Sequence, residues 1–389
     1  MLRQNLLLSA LLGLLLPCCF AQDAQPAYRD PKLTPQERAA DLVKRMTLEE
    51  KVDQIAGGRR RARAASENPE EKQAFEALIK LYSVDAQVSP HDAAEARNKA
   101  QHYLVEKTPL GIPGLFQGEA LHGFMANGST SFPQVLGLAS TWDPALVQQA
   151  FTAAADEMAS SGVNTAFTPV LDLSRDPRWG RTEETYGEDP YLVARMGVAA
   201  INGLQGTSWM IDRHHVMATM KHFAAHGQPE SGTNTAPANF SERDLRETFL
   251  VPFRAAVQEA HVGSAMASYN EIDGIPNHVN RWLLDRVLRQ EWGFRGYVTS
   301  DGGGLQMLVE THHVAADYAE AARKALAAGV DFDLSDGSVY ATLVDQVRDG
   351  RIPEADLDRA VQRVLEAKFR LGLFENPYVD PDICPENHE

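Results

Sequence analysis

Asp301 ends an apolar run, Gly296-Tyr-Val-Thr-Ser-Asp301, and Gly302-Gly303-Gly304 follows it. Glycines at this place let backbone approach a ligand closely and leave the carboxylate uncovered. A carboxylate held this way either attacks an anomeric carbon to form a glycosyl ester or caps the next helix. Lys221 and His222 lie at the end of a second run, Val216-Met-Ala-Thr-Met-Lys-His222. Two adjacent donors there would hold sugar hydroxyls and lower nearby carboxylate pKa values. The alternative is a buried lysine paired with a structural acid. Arg178, in Asp176-Pro-Arg-Trp-Gly-Arg181, carries a planar fork that fits two vicinal hydroxyls. Trp179 beside it either stacks on a ring or packs. Arg181, Glu184 and Glu188 read as an ion-pair network that holds this loop. Glu119 follows the run ending near Phe116, and its carboxylate suits a pair of hydroxyls.

The elements around these residues repeat. The short apolar runs are Ile112–Phe116, Val163–Leu173, Val216–Phe223, Ser264–Asn270, Gly296–Asp301 and Val330–Leu334. Helical segments separate them: Asp189–Leu204, Ser241–Glu259, Arg281–Trp292, Ala315–Ala328 and Tyr340–Asp349, with a last amphipathic helix over Glu354–Phe369. An earlier helix begins at Thr34, a capping residue, with Pro35 in its first turn. Gly293, Gly329 and Gly350 stand just past helix ends, where a left-handed residue is required. Strand–helix alternation predicts an α/β fold with a parallel sheet and right-handed crossovers. The number of units favours a TIM-like (β/α)8 barrel over an open sheet. In such a barrel the chemistry sits where strands end, which is where these polar residues lie. Residues 58–76 are charged and read as a solvated loop and helix.

Gly118-Glu-Ala-Leu-His-Gly123, Asp176–Arg181, Tyr186-Gly-Glu-Asp189, Lys221-His-Phe223, Ser268-Tyr-Asn270 and Ser300-Asp301, in this order, resemble the N-terminal barrel of glycoside hydrolase family 3. The resemblance covers residues 30 to 378. It implies a retaining exo-acting β-glycosidase with Asp301 as nucleophile. Glu119, Arg178, Lys221, His222, Met266 and Tyr269 would then wall the glycone subsite. It implies no cofactor, and an oligosaccharide or glycoside as the binding partner.

The sequence departs from the family pattern in three places. In most members a second, α/β sandwich domain supplies the acid/base. This sequence runs to Glu389, so the expectation is a barrel without that domain and with the acid/base unassigned. A single-domain branch carries an Asp-Ser-His string after its Lys-His-Phe. Here that loop reads His226-Gly-Gln-Pro-Glu-Ser-Gly-Thr-Asn234, which leaves Glu230 and His226 as conceivable substitutes. Gly302 stands where many members place an aromatic. Glu119 is one methylene longer than the Asp common in family glucosidases and would crowd a C6 hydroxymethyl. That leans the reading to xylosides, with glucosides next. A sugar-binding barrel without turnover is the second reading. A metal-dependent hydrolase is a third, resting on His214-His215 and His312-His313, but neighbouring histidines on a strand point apart.

Composition sets the frame. A net charge of -16 argues against nucleic acid and anionic membrane partners. Arg3, the apolar run Leu6–Leu16 and Cys19-Phe20-Ala21 read as a signal peptide cleaved after Ala21, giving export to the periplasm or beyond. Cys18 and Cys19 leave a lipoprotein reading open, which Pro17 fits poorly. After cleavage only Cys384 remains, so neither an internal disulfide nor a cysteine metal site is expected. No run is long enough for a transmembrane segment. Residues 22–33 read as a linker, 34–378 as the barrel and 379–389 as a tail.

Overall fold

A computed structural model describes residues 25–57, 65–84 and 88–383, with backbone alone over 77–84. The expected signal peptide and all three cysteines lie outside the described residues. The main sheet is parallel and five-stranded: β1 (Gln117–Gly118), β2 (Thr165–Ala166), β3 (Met217–Phe223), β4 (Ser264–Ala267) and β7 (Tyr297–Thr299), in that order. A small antiparallel pair, β5 (Glu271–Ile272) and β6 (Ile275–Pro276), stands apart. Single parallel bridges extend the sheet beyond β7, from Thr299 to Phe332 and from Asp333 to Ala56. The sheet curls on itself. Gln117, Thr165 and Ser264, from β1, β2 and β4, all stand around the hydroxyl of Tyr297 on β7. This is the TIM-like α/β barrel that the strand–helix alternation predicts.

Local chemistry accounts for most element ends. Thr34 caps the helix Pro35–Val43 through a reciprocal capping box with Glu37, and Thr47 does the same with Glu50. Asp189 caps the helix Pro190–Gln205, which opens with proline. Gly293 and Gly350 are left-handed at φ 76° and 72°, as predicted for residues that follow helix ends.

Several expected elements differ in detail. The run Val163–Leu173 forms a ladder only at Thr165–Ala166; beyond it Pro169 has no N–H to donate, and Val170 rejoins the sheet through a bridge to Lys221. The segment Ser241–Glu259 is not one regular helix. Pro252 withholds a donor, and the chain widens over Leu245–Phe249, where Leu250 N–H reaches back to Leu245 O. Within the expected linker, Tyr28 is buried and donates its hydroxyl to Leu110 O. A tyrosine ring that finds an apolar seat docks a segment that polarity alone marks as free. In the expected tail, Val379 exchanges two hydrogen bonds with the Asn98 side chain. Ala74 and Phe75, inside the stretch read as solvated, are buried against Ala93, Ala100 and Phe116.

Helices pack closely where side chains are missing. A Cβ on Gly203 would stand 2.5 Å from Gln148 O on the neighbouring helix Pro144–Ser160. Among the described residues no helix is long and apolar enough to cross a membrane.

Candidate active site

The polar strand ends converge. Lys221 and His222, near the end of β3, separate toward two different acids. Lys221 Nζ lies 2.9 Å from Glu119 Oε2; the lysine is buried and the glutamate half open. His222 Nδ1 lies 2.7 Å from Asp172 Oδ2, and its backbone N–H donates to the same oxygen at 2.9 Å. Arg181 Nη2 approaches His222 Nε2 at 3.3 Å. A guanidinium can only donate, so Nε2 is an acceptor and Nδ1 carries the proton. Burial pushes the His222 pKa well below the usual value, and the charges of Arg181 and Lys221 push it further, so the ring is neutral.

Asp301 sits beyond the end of β7 with its side chain 13% exposed. Its Oδ1 accepts from Gly302 N–H at 2.7 Å, and its own N–H donates to His278 Nε2 at 3.1 Å. Its Oδ2 is buried without a hydrogen bond, 3.7 Å from His222 Nε2. Burial pushes the carboxyl up to about 6, against the lowering charge of Lys221 and the Gly302 N–H bond. Gly304 has a steric reason to be glycine: a Cβ there would stand 2.3 Å from His278 Nε2. Ser335 accepts from Gly303 N–H and braces the glycine turn from the next loop. Behind His222 lies His226, ring to ring at 4.7 Å, flanked by Trp179 at 5.2 Å and Tyr269 at 5.7 Å. Tyr269 donates its hydroxyl to Gly302 O at 2.7 Å.

The structure therefore brings together Glu119, Lys221, His222, Tyr269 and Asp301. Met266 is buried on β4, paired in register with Thr299 of β7, two residues before Asp301. Arg178 stands apart. Its side chain is 69% exposed and forks onto Asp176, with Nη2 at 2.6 Å from Oδ2. The short spacing between the two makes that local pair the easiest one to form. Trp179 packs rather than stacks in the open: it is buried, with Nε1 donating to Asn234.

Sequence reasoning assigns no role to Asp172 or His278, and reads Arg181 only as part of a loop ion-pair network and His226 only as a conceivable acid/base. Arg181 does pair with Glu184 at 2.8 Å, as expected, but the same guanidinium also reaches His222. Asp172 orients His222, His278 backs Asp301, and His226 fills the space between rings. A polar residue inside an otherwise apolar run was the available signal for Asp172. Nothing local marks His278.

Asp172, His222 and His226 bring ligand-type atoms within 4.8 Å of one another. The Arg181 charge beside them disfavours a metal cation there. His222 Nδ1 and His226 Nε2 already bond Asp172 and Asn234 O. Carboxyl groups around Asp301 are engaged as well: Asp172 with His222, Glu119 with Lys221, Glu184 with Arg181.

Comparison with known proteins agrees with the fold. The chain is 39% identical to a putative beta-xylosidase of Formosa agariphila over 91% of its own length and 48% of the relative's. It is 36% identical to a periplasmic beta-glucosidase of Salmonella typhimurium over 91% of its own length and 45% of the relative's. A solved β-glucosidase structure from Erythrobacter marinus superposes with a TM-score of 0.86 at 39% identity, over 93% of this chain and 48% of that one. The chain thus spans about half the length of the relatives it matches. Residues 47–367 match the glycosyl hydrolase family 3 N-terminal domain, and the chain belongs to that family.

Proposed function

We propose that this chain is the nucleophile-bearing barrel of an exported, exo-acting, retaining β-glycosidase. It removes terminal β-D-xylosyl or β-D-glucosyl residues through a covalent glycosyl–Asp301 intermediate. The observation that carries this reading is the Asp301 carboxylate: one oxygen is fixed by Gly302 N–H, and the other is buried, unbonded and beside a neutral imidazole. Oδ2 attacks the anomeric carbon as the glycosidic bond breaks, and the aglycone oxygen leaves with the bonding pair and takes its proton from water. Lys221, Glu119 and His222 hold the sugar hydroxyls, with Met266 and Tyr269 completing the wall. Arg178 joins them by exchanging Asp176 for a hydroxyl pair. The extra methylene of Glu119 favours xylose over glucose.

A second reading, a barrel that binds sugar and turns over poorly, is favoured by one observation. Among the described residues, the carboxyl groups of Glu119, Asp172 and Glu184 around Asp301 each already hold a cation or a histidine, which leaves none of the three free to protonate a leaving group. Loss of an acid/base costs roughly 10² to 10⁴-fold for leaving groups that need a proton.

The test is first-turnover release of dinitrophenol from 2,4-dinitrophenyl β-xyloside and β-glucoside, which need none. The expected result is a burst of about one equivalent, absent in Asp301→Ala, larger with the xyloside, and much smaller with alkyl glycosides. A folded sample giving no burst with either sugar would leave the binding reading in first place.

A further inference from the structure

The barrel carries a cleft at the end opposite Asp301. Its walls come from the segments that enter the strands: Trp209 ahead of β3, His261 ahead of β4, Trp292 and Arg295 ahead of β7, and Arg370 at the end of the helix Glu354–Arg370. The cleft has a volume of about 610 Å³, within the range of small-ligand pockets.

Its charge is out of keeping with the rest of the molecule. The chain has a net charge of -16, yet no aspartate or glutamate lines this cleft, and two arginines do. Arg370 is 4% exposed. Its guanidinium lies 3.8 Å from the centre of the Trp209 ring and its Nε donates to Trp209 O at 3.1 Å, but among the described residues it has no ion pair. Arg295 is exposed, also faces the Trp209 ring at 5.9 Å, and likewise has no ion pair.

Three of the acids nearby are held by other cations. Glu259 is clasped by Arg195, Glu291 by Arg246, and Asp331 by Arg289 and Arg363. Glu366, one turn before Arg370, accepts from Gln36 and Gln362 in the adjoining cleft. The arginines are not spent on helix ends either. Ala256 O, Val287 O and Arg370 O already accept from Val262, Trp292 and Ile211 N–H. Burial pushes Arg370 down only to about 10, so it keeps its charge at neutral pH. A buried guanidinium whose acid neighbour, Glu366, stands beyond ion-pair distance is incompletely compensated, and an arriving anion adds the missing contact.

We propose that this cleft binds a small organic oxyanion, a carboxylate or a phosphate, between Arg295 and Arg370. Trp292 and the Trp209 edge receive its carbon skeleton. The planar guanidinium fork suits either group in a bidentate pair.

The experiment is titration calorimetry of the chain at low ionic strength with glucuronate, inorganic phosphate and, as the neutral control, glucose. Binding should be saturable for at least one anion and should weaken as sodium chloride is added. Arg295→Ala should weaken it by about tenfold or more, while the dinitrophenol burst stays unchanged. Arg370→Met, checked for folding by its thermal melt, should abolish it. Tighter glucuronate than phosphate would identify an acidic sugar or similar carboxylate as the ligand, and the reverse a phosphate ester. No saturable anion binding tighter than about 10 mM would overturn the proposal. So would binding that Arg295→Ala leaves unchanged.

Discussion

Burial around Asp301 raises its carboxyl to about 6, against an ordinary value near 4. The folded chain therefore holds that proton more tightly than the unfolded chain does. As pH rises between about 4 and about 6 the unfolded state ionises first, and folding loses up to about 3 kcal/mol that stays lost above the window. Asp301→Asn keeps an acceptor for Gly302 N–H and removes the buried charge. Its expected outcome is a chain melting several degrees higher than the parent at about pH 7.5, with the advantage gone near about pH 4. Denaturant titration at the two pH values checks it. The same titration governs chemistry: the burst rate should rise about tenfold per pH unit below about 6 and level off above it. At this scale the sequence was most informative. Asp301, Lys221, His222 and Glu119 stand where apolar runs stop, a signal visible without coordinates. Arg178 shows the limit of such reasoning. The same planar fork that suits a sugar also suits Asp176, two residues away.

Elements are fixed by contacts that neighbours in sequence cannot reveal. Gly203 lies within a helix whose span the pattern gives to within one residue at each end, yet its lack of a side chain is explained only by Gln148 O on another helix. Gly203→Ala should destabilise by about 1 to 3 kcal/mol, since the obstructing atom is backbone and one of the two helices must shift. A urea midpoint that did not move would mean that the helices slide freely past each other. The glycine caps Gly293 and Gly350 were legible because a left-handed φ is a local demand. The missing donor at Pro169 and the widened turn before Pro252 were equally local, but the apolar pattern spoke louder. His278 was invisible for the opposite reason. It reaches Asp301 across 23 residues of chain, and only the closing of the barrel brings them together.

At the scale of the whole molecule, two faces of one barrel carry opposite electrostatic characters. The end that holds Asp301 is a set of acids each matched to a cation or a histidine. The other end holds two arginines that, among the described residues, have no ion pair. Alternation of strands and helices made the barrel predictable, whereas this polarity depends on which acids other arginines have claimed. Strand order has a further consequence. β3 is bonded on both sides, to β2 and β4, and all seven of its residues are buried. β1 is two residues long and, among the described residues, is bonded only to β2. Deuterium should enter the β1 amides through small local openings, while the β3 amides wait for the molecule to unfold as a whole. The lysine and histidine of the site would then rest on the slowest-exchanging strand in the chain, and Glu119 just beyond the β1 end would rest on a fast one. The sugar would be held between a rigid jaw and a yielding one.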